Sequence, residues 1–171
     1  MLDGLTIGPL LSLVEPTTAA APGESDIGST VTLSRTVGAR AVSEALASAR
    51  TRWADANIAD YRLTIAEERS VWSAGCRWII DVSDGIVTGS EVDPSSASSE
   101  CNPIEWTVEH LHEIIASWID TISEFAAPEY GEHTLVVQFD DIGVPVAMEY
   151  DLANGDDEES SMRVTFARQP A

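Results

Sequence analysis

Two stretches of the chain follow one plan: Trp78 to Asp93, which contains "IIDVSDGIVTGSEVD", and Leu135 to Asp151, which contains "VQFDDIGVPVAMEYD". Each is an alternating apolar run, a turn built from Asp and Gly, a second alternating run and a closing Asp. Alternation with period two puts every second side chain on one face of a strand, and Gly accepts the positive φ that a tight hairpin turn demands. With one extra residue allowed in the second turn, Val82 falls opposite Phe139, Asp84 opposite Asp141, Gly85 opposite Gly143 and Asp93 opposite Asp151. The chain therefore holds two antiparallel hairpins, and each needs an apolar cover for its inner face.

Two amphipathic stretches supply that cover. "ARAVSEALASARTRWADAN", from about residue 39, sets Val42, Leu46, Ala49, Trp53 and Ala56 on one helical face, with Glu44, Arg50, Arg52 and Asp55 largely elsewhere. Thr107 is a good N-cap for "VEHLHEIIASWIDTISEF", where Val108, Leu111, Ile115, Trp118, Ile119 and Ile122 make a broad apolar face. Glu109 and Glu113 lie in its early turns, where negative charge suits the helix dipole. Strand periodicity also marks Tyr61, Leu63 and Ile65, and near the end Met162, Val164 and Phe166. The expected fold is α+β: two helices packed on one face of an antiparallel β-sheet, in the order α-βββ-α-βββ. Residues 37–171 then form a single domain of two similar halves, about 39–93 and 107–168, a tandem pseudo-repeat. The alternative is that any two hairpins look alike at this level.

Residues 1–36 differ from the rest. "LTIGPLLSLV" is apolar but too short to span a bilayer, and "EPTTAAAPGESDIGST" has the composition of a flexible segment. An apolar stretch followed by small residues at Ala19 to Ala21 suggests the remnant of a secretory signal whose basic start is missing. Cys76 and Cys101 have no second Cys two or three positions away and no neighbouring His, so thiolate zinc spacing is absent. A disulfide is their simplest use, and two separate buried thiols are the other. Such a bond persists outside a reducing cytosol, which points to an extracytoplasmic location, secreted or in the cell envelope.

Charge narrows the partners. The 171 residues carry 29 acidic against 9 basic side chains, a formal net charge of −20, and every basic one is Arg. That balance repels nucleic-acid phosphates and anionic lipid headgroups and attracts a basic protein or a metal ion.

Trp53, Tyr61, Cys76, the "VSDGIV" turn, "WTVEHLHEII", "FDDIGVP", Asp151, Asp157 and a final strand ending near Phe166 together resemble a family of small uncharacterised bacterial proteins, known as a domain of unknown function. The resemblance runs from about residue 45 to 168 and rests on spacing more than on a rare motif. It implies export and a fold but no activity, so no catalytic residue carries over. Members often place an aromatic where this chain has Val144, and two nearby cysteines where it has Cys76 and the distant Cys101.

The sharpest ligand expectation is calcium, held by Asp140, Asp141, Asp151, Asp156 and Asp157, since hard cations want several oxygens. EF-hand order fails around Gly155, however, and Asp140 and Asp151 equally suit hairpin ends, where a carboxylate accepts backbone N–H groups. Trp72, in a loop, is the aromatic free to meet a partner. His110 and His112 are two apart on a helix and point to different sides. No G-x-S-x-G, no base beside Ser73 and no phosphate-cradling Gly loop occurs, so no enzyme is expected. The leading expectation is an exported, non-enzymatic binding or interaction module. Its layout is like that of the β-lactamase inhibitory proteins, with the open sheet face or the Trp72 loop meeting a protein. An extracytoplasmic calcium-responsive acidic protein is the runner-up, and an enzyme, which would need a deep pocket with a polar constellation, is the third reading.

Overall fold

In the computed structural model, which describes residues 29–33, 39–69, 75–96, 100–124, 134–151 and 160–169, the alternating runs become strands and both amphipathic stretches become helices. The elements run β1 (Ser29–Leu33), α1 (Ala39–Ala56), β2 (Tyr61–Arg69), β3 (Arg77–Ser83), β4 (Ile86–Val92), α2 (Val108–Glu124), β5 (Thr134–Phe139), β6 (Pro145–Asp151) and β7 (Ser160–Arg168). The strands form one antiparallel sheet in the order β1-β5-β6-β7-β2-β3-β4. The protein is thus α+β.

Register explains the core. Leu63 lies between Ile80 and Phe166, Ile65 between Trp78 and Val164, and Met148 between Val137 and Met162. Residues directly opposite on neighbouring strands point to the same side, so these positions build one apolar face. Val42, Leu46, Ala49 and Trp53 of α1 and Val108, Leu111, Ile115, Ile119 and Ile122 of α2 are buried in the same cluster, and the two helices pack on each other. Each such side chain stabilises the fold by about 1.5–3 kcal/mol when fully buried. Sheet and helices therefore depend on each other.

The order differs from expectation at its start. β1 lies inside residues 1–36, expected as a flexible segment, and pairs with β5. Without it the N–H and C=O groups along that side of β5 would lack partners, which strand addition satisfies. The two matched hairpins also take unlike places: β3-β4 closes the first set of strands, whereas β5-β6 opens the second. What they share is geometry. Their ladders shift at aligned positions, between Asp81 and Val82 and between Gln138 and Phe139. The repeated wording in the sequence encodes the same bulged hairpin at two non-equivalent places.

Their turns diverge in burial. Asp84 and Gly85 have φ of 51° and 73°, the pair of left-handed residues that a two-residue hairpin turn requires, and both are exposed. The longer turn, by contrast, is wedged under the helices. Gly143, Val144 and Pro145 are buried, and a Cβ on Gly143 would stand 2.1 Å from the Ala49 carbonyl oxygen of α1. From the other side, His112 Nε2 of α2 lies 2.9 Å from the Gly143 carbonyl oxygen. Arg50 of α1 donates to the His112 carbonyl oxygen at 3.1 Å, joining the two helices over the turn.

Gly143→Ala must therefore push α1 away and also hold a side chain at φ of 93°. We expect a loss on the order of 3 kcal/mol or more in denaturant unfolding. Gly85→Ala meets nothing within 4 Å and should cost only about 1–2 kcal/mol of backbone strain. Equal losses for the two would contradict the wedge.

Candidate functional site

Cys76 and Cys101 are joined in a disulfide with Cα atoms 5.8 Å apart. The bond ties the segment before α2 to the β3-β4 hairpin, and neighbours repeat the tie. Trp78 Nε1 donates to the Asn102 carbonyl at 2.7 Å, and the Ser90 hydroxyl both donates to the Ile104 carbonyl and accepts from the Ile104 N–H. In the chain-entropy model a loop of this length gives about 3.5 kcal/mol. Its structural effect is to fix where α2 begins. There the Thr107 hydroxyl caps the His110 N–H at 3.3 Å, and the Tyr61 hydroxyl accepts from the Val108 N–H at 3.3 Å. Burial, ahead of all other causes, pushes the Tyr61 hydroxyl up to about 12, so it stays protonated.

Of the expected calcium ligands, the described ones, Asp140, Asp141 and Asp151, stand apart. Asp140 is buried and occupied: its Oδ1 accepts the Val144 N–H at 2.7 Å, while its own N–H donates to the Val144 carbonyl at 3.0 Å. Asp141 is exposed in the turn, and Asp151 stands at the far end of β6, across from Thr134. Asp156, Asp157 and the Trp72 loop lie outside the described residues. Among the described residues, no three His, Cys, Asp or Glu side chains are grouped to hold a metal ion. Nor is any helix among them long and apolar enough to cross a membrane.

The structure instead opens a cleft of about 550 Å³ where the C-terminal turn of α1, the first turns of α2 and the β3-β4 turn meet. Trp53 forms its floor, and Asp84, Glu109 and Glu113 are its carboxylates. The Trp53 indole N–H donates to Glu109 Oε1 at 2.6 Å, and edge-on contacts with Tyr61 and Phe166, at 5.3 and 5.8 Å between ring centres, hold the indole in place. Among the described residues Arg50 is the cleft's cation, and it donates to the His112 carbonyl. Asn57, which ends α1 with φ of 46°, and the Asp84-Gly85 turn shape the rim. Among the described residues, no Ser, Thr or Cys lines the cleft. Its chemistry is that of a fixed acceptor for a cation, with an aromatic surface beside the carboxylates.

Sequence reasoning assigned Glu109 and Glu113 to the helix dipole and Trp53 to the core, so it missed that the three converge with Asp84. The usable signal was an indole at the end of one apolar stripe with a carboxylate pair at i, i+4 on the other helix.

The far face of the sheet was expected to be open. In β2, β3 and β7 it carries short or charged side chains and the half-buried Ile79: Thr64 lies beside Ile79 and Thr165, and Ala66 between Arg77 and Arg163. Arg62 grips Asp81 through two bonds of 2.7 and 2.9 Å, and Gln169 Nε2 adds a third to Asp81 at 2.7 Å. The Arg62 guanidinium holds the Asp81 carboxyl below the usual carboxylate range.

A family model described as a family of unknown function, DUF6174, matches residues 45–167. The chain belongs to this family. No curated protein matches it. The DUF6174 span takes in every residue lining the cleft, the disulfide and β2 to β7 as far as Ala167, but not β1.

Asp140 generates a test that separates turn closure from metal binding. Burial raises its carboxyl above the usual 3.8, so its charge is costlier folded than unfolded. That penalty is full at neutral pH, falls as pH drops through the raised folded value, and vanishes below 3.8. Asp140→Ala should cost about 1–3 kcal/mol by orphaning the Val144 N–H. Asp140→Asn, which keeps an acceptor, should cost less at neutral pH, and the wild type should gain on it as pH falls. Denaturant melts at several pH values check this, and a calcium-dependent difference between Asp and Asn would contradict it.

Proposed function

We propose that the protein is an exported, non-enzymatic binding module that receives a basic side chain of a partner protein in the cleft between α1, α2 and the β3-β4 turn. One observation carries this reading: among the described residues, three carboxylates and an indole line a cavity large enough for a side chain, against one guanidinium, which donates to a backbone carbonyl. Glu113 and Asp84 are exposed carboxylates at its mouth. An arriving Arg would meet Glu113 and Asp84 with its fork of donors, the geometry that makes Arg a frequent interface anchor. The net charge of −20 would speed encounter with a basic partner at low salt.

Export is supported by the disulfide, which a reducing cytosol would not keep. A binding role without chemistry is supported by the commitments of the polar groups. His112, the imidazole nearest the cleft, gives its Nε2 to Gly143, and burial holds its pKa down.

Paired baits test the reading. The wild type and Glu113→Lys, both with the disulfide intact, would be presented at low salt to the culture medium of the producing organism. A basic protein retained by the wild type, released by salt and bound about tenfold more weakly by the variant is the expected result. Equal retention by the two baits, or no protein retained by the wild type, would contradict it.

A further inference from the structure

The two outer strands of the sheet within the DUF6174 span, β4 and β5, are treated differently. β4 is stitched to the segment behind it by Ser90, Ile104 and the nearby disulfide. β5 is covered by β1, which comes from the start of the chain and lies outside the DUF6174 span. Within that span β5 is the end of the sheet, with one row of backbone N–H and C=O groups turned outward.

We propose that the outer side of β5 is a strand-acceptor site for an extended segment, filled in the monomer by the chain's own Ser29–Leu33 and able to take the same segment from a second copy. Pairing is antiparallel and runs from Ser29 opposite Phe139 to Leu33 opposite Leu135. Backbone hydrogen bonds of this kind are indifferent to whether the added strand is tethered. Selectivity comes from register. Positions 29, 31 and 33 stand across from Phe139, Val137 and Leu135, which are fully buried, whereas positions 30 and 32 stand across from the half-buried Gln138 and Val136. The acceptor thus suits a segment with apolar residues at alternate places. Tethering sets the balance: a short link gives the chain's own segment an effective concentration on the order of millimolar, which excludes a free copy at micromolar concentration.

The test uses the full chain with Val31→Pro and Thr32→Pro. In an antiparallel ladder alternate N–H groups face the neighbour, so two successive prolines remove whichever of the pair bonds to β5. A fluorescent peptide covering residues 27 to 35 is the probe, with a scrambled peptide beside it. The variant should bind the native-order peptide saturably and about tenfold or more tightly than the wild type does. A variant that keeps its circular dichroism and disulfide yet binds no better than the wild type overturns the proposal. Hydrogen exchange on the unaltered chain decides the matter if the variant does not fold. β5 amides facing β1 should exchange faster than β2 amides bonded to β7, and excess peptide should slow them. Equal rates for the two sets would mean that β1 leaves only on global unfolding, which also overturns it.

Discussion

The fold turns on a close approach between a hairpin and a helix. The β5-β6 turn enters beneath α1 and α2 because residue 143 has no side chain to meet the Ala49 carbonyl, and because His112 accommodates the carbonyl that the turn brings with it. A carbonyl oxygen only accepts, so His112 must present N–H at Nε2. Arg50 then links α1 to the backbone of α2 at the same residue, and Asp140 closes the turn from within. Remove the close approach and the two helices lose the contact that seats them both on the turn. Their buried stripes would still find the sheet, and the Arg50 and Trp53 bonds alone would hold their polar edges in register.

That spacing is what makes the cleft. Trp53 is one turn beyond Ala49 on α1, and Glu109 and Glu113 flank His112 on α2. The contact that sets the helices apart therefore also sets the indole within 2.6 Å of Glu109. The disulfide works from the other end, tying the segment before α2 to the start of β3, while the Gly85 N–H, donating to the Ala59 carbonyl at 3.0 Å, holds the turn that brings Asp84 to the rim. Structural and candidate binding groups alternate along the same two helices. This is how an acidic surface becomes a shaped one, with charges positioned by a core they do not belong to.

Much of the architecture was legible in the chain. Period-two alternation at Trp78, Ile80 and Val82 and at Leu135, Val137 and Phe139 gave the inward faces of β3 and β5, and the stripe from Val108 to Ile122 gave α2. Two further features were written in pattern but misread in scope. The recurring hairpin encoded a shared bulge and not equivalent positions, because local backbone geometry recurs wherever a twisted hairpin must bend. β1 was hidden in a segment whose composition suits a linker, since a single edge strand of five residues draws its stability from the neighbour it pairs with. The candidate site was the least legible part. Convergence of Asp84, Glu109 and Glu113 depends on where a turn and a helix meet in space, and no spacing along the chain records that.

The protonation state of His112 tests the central contact most directly. Its imidazole is buried, and burial lowers its pKa below the usual 6.5, so the folded protein should keep it neutral while the unfolded chain would charge. Two-dimensional NMR correlating the ring nitrogens and protons of the folded protein reads both tautomer and charge. The wedge requires an Nε2–H imidazole whose signals stay unchanged as pH is lowered through about 6.5, with a slowly exchanging Nε2 proton. A ring that carries its proton on Nδ1, or that becomes charged near the ordinary value while the protein remains folded, would show that the turn is not held as described.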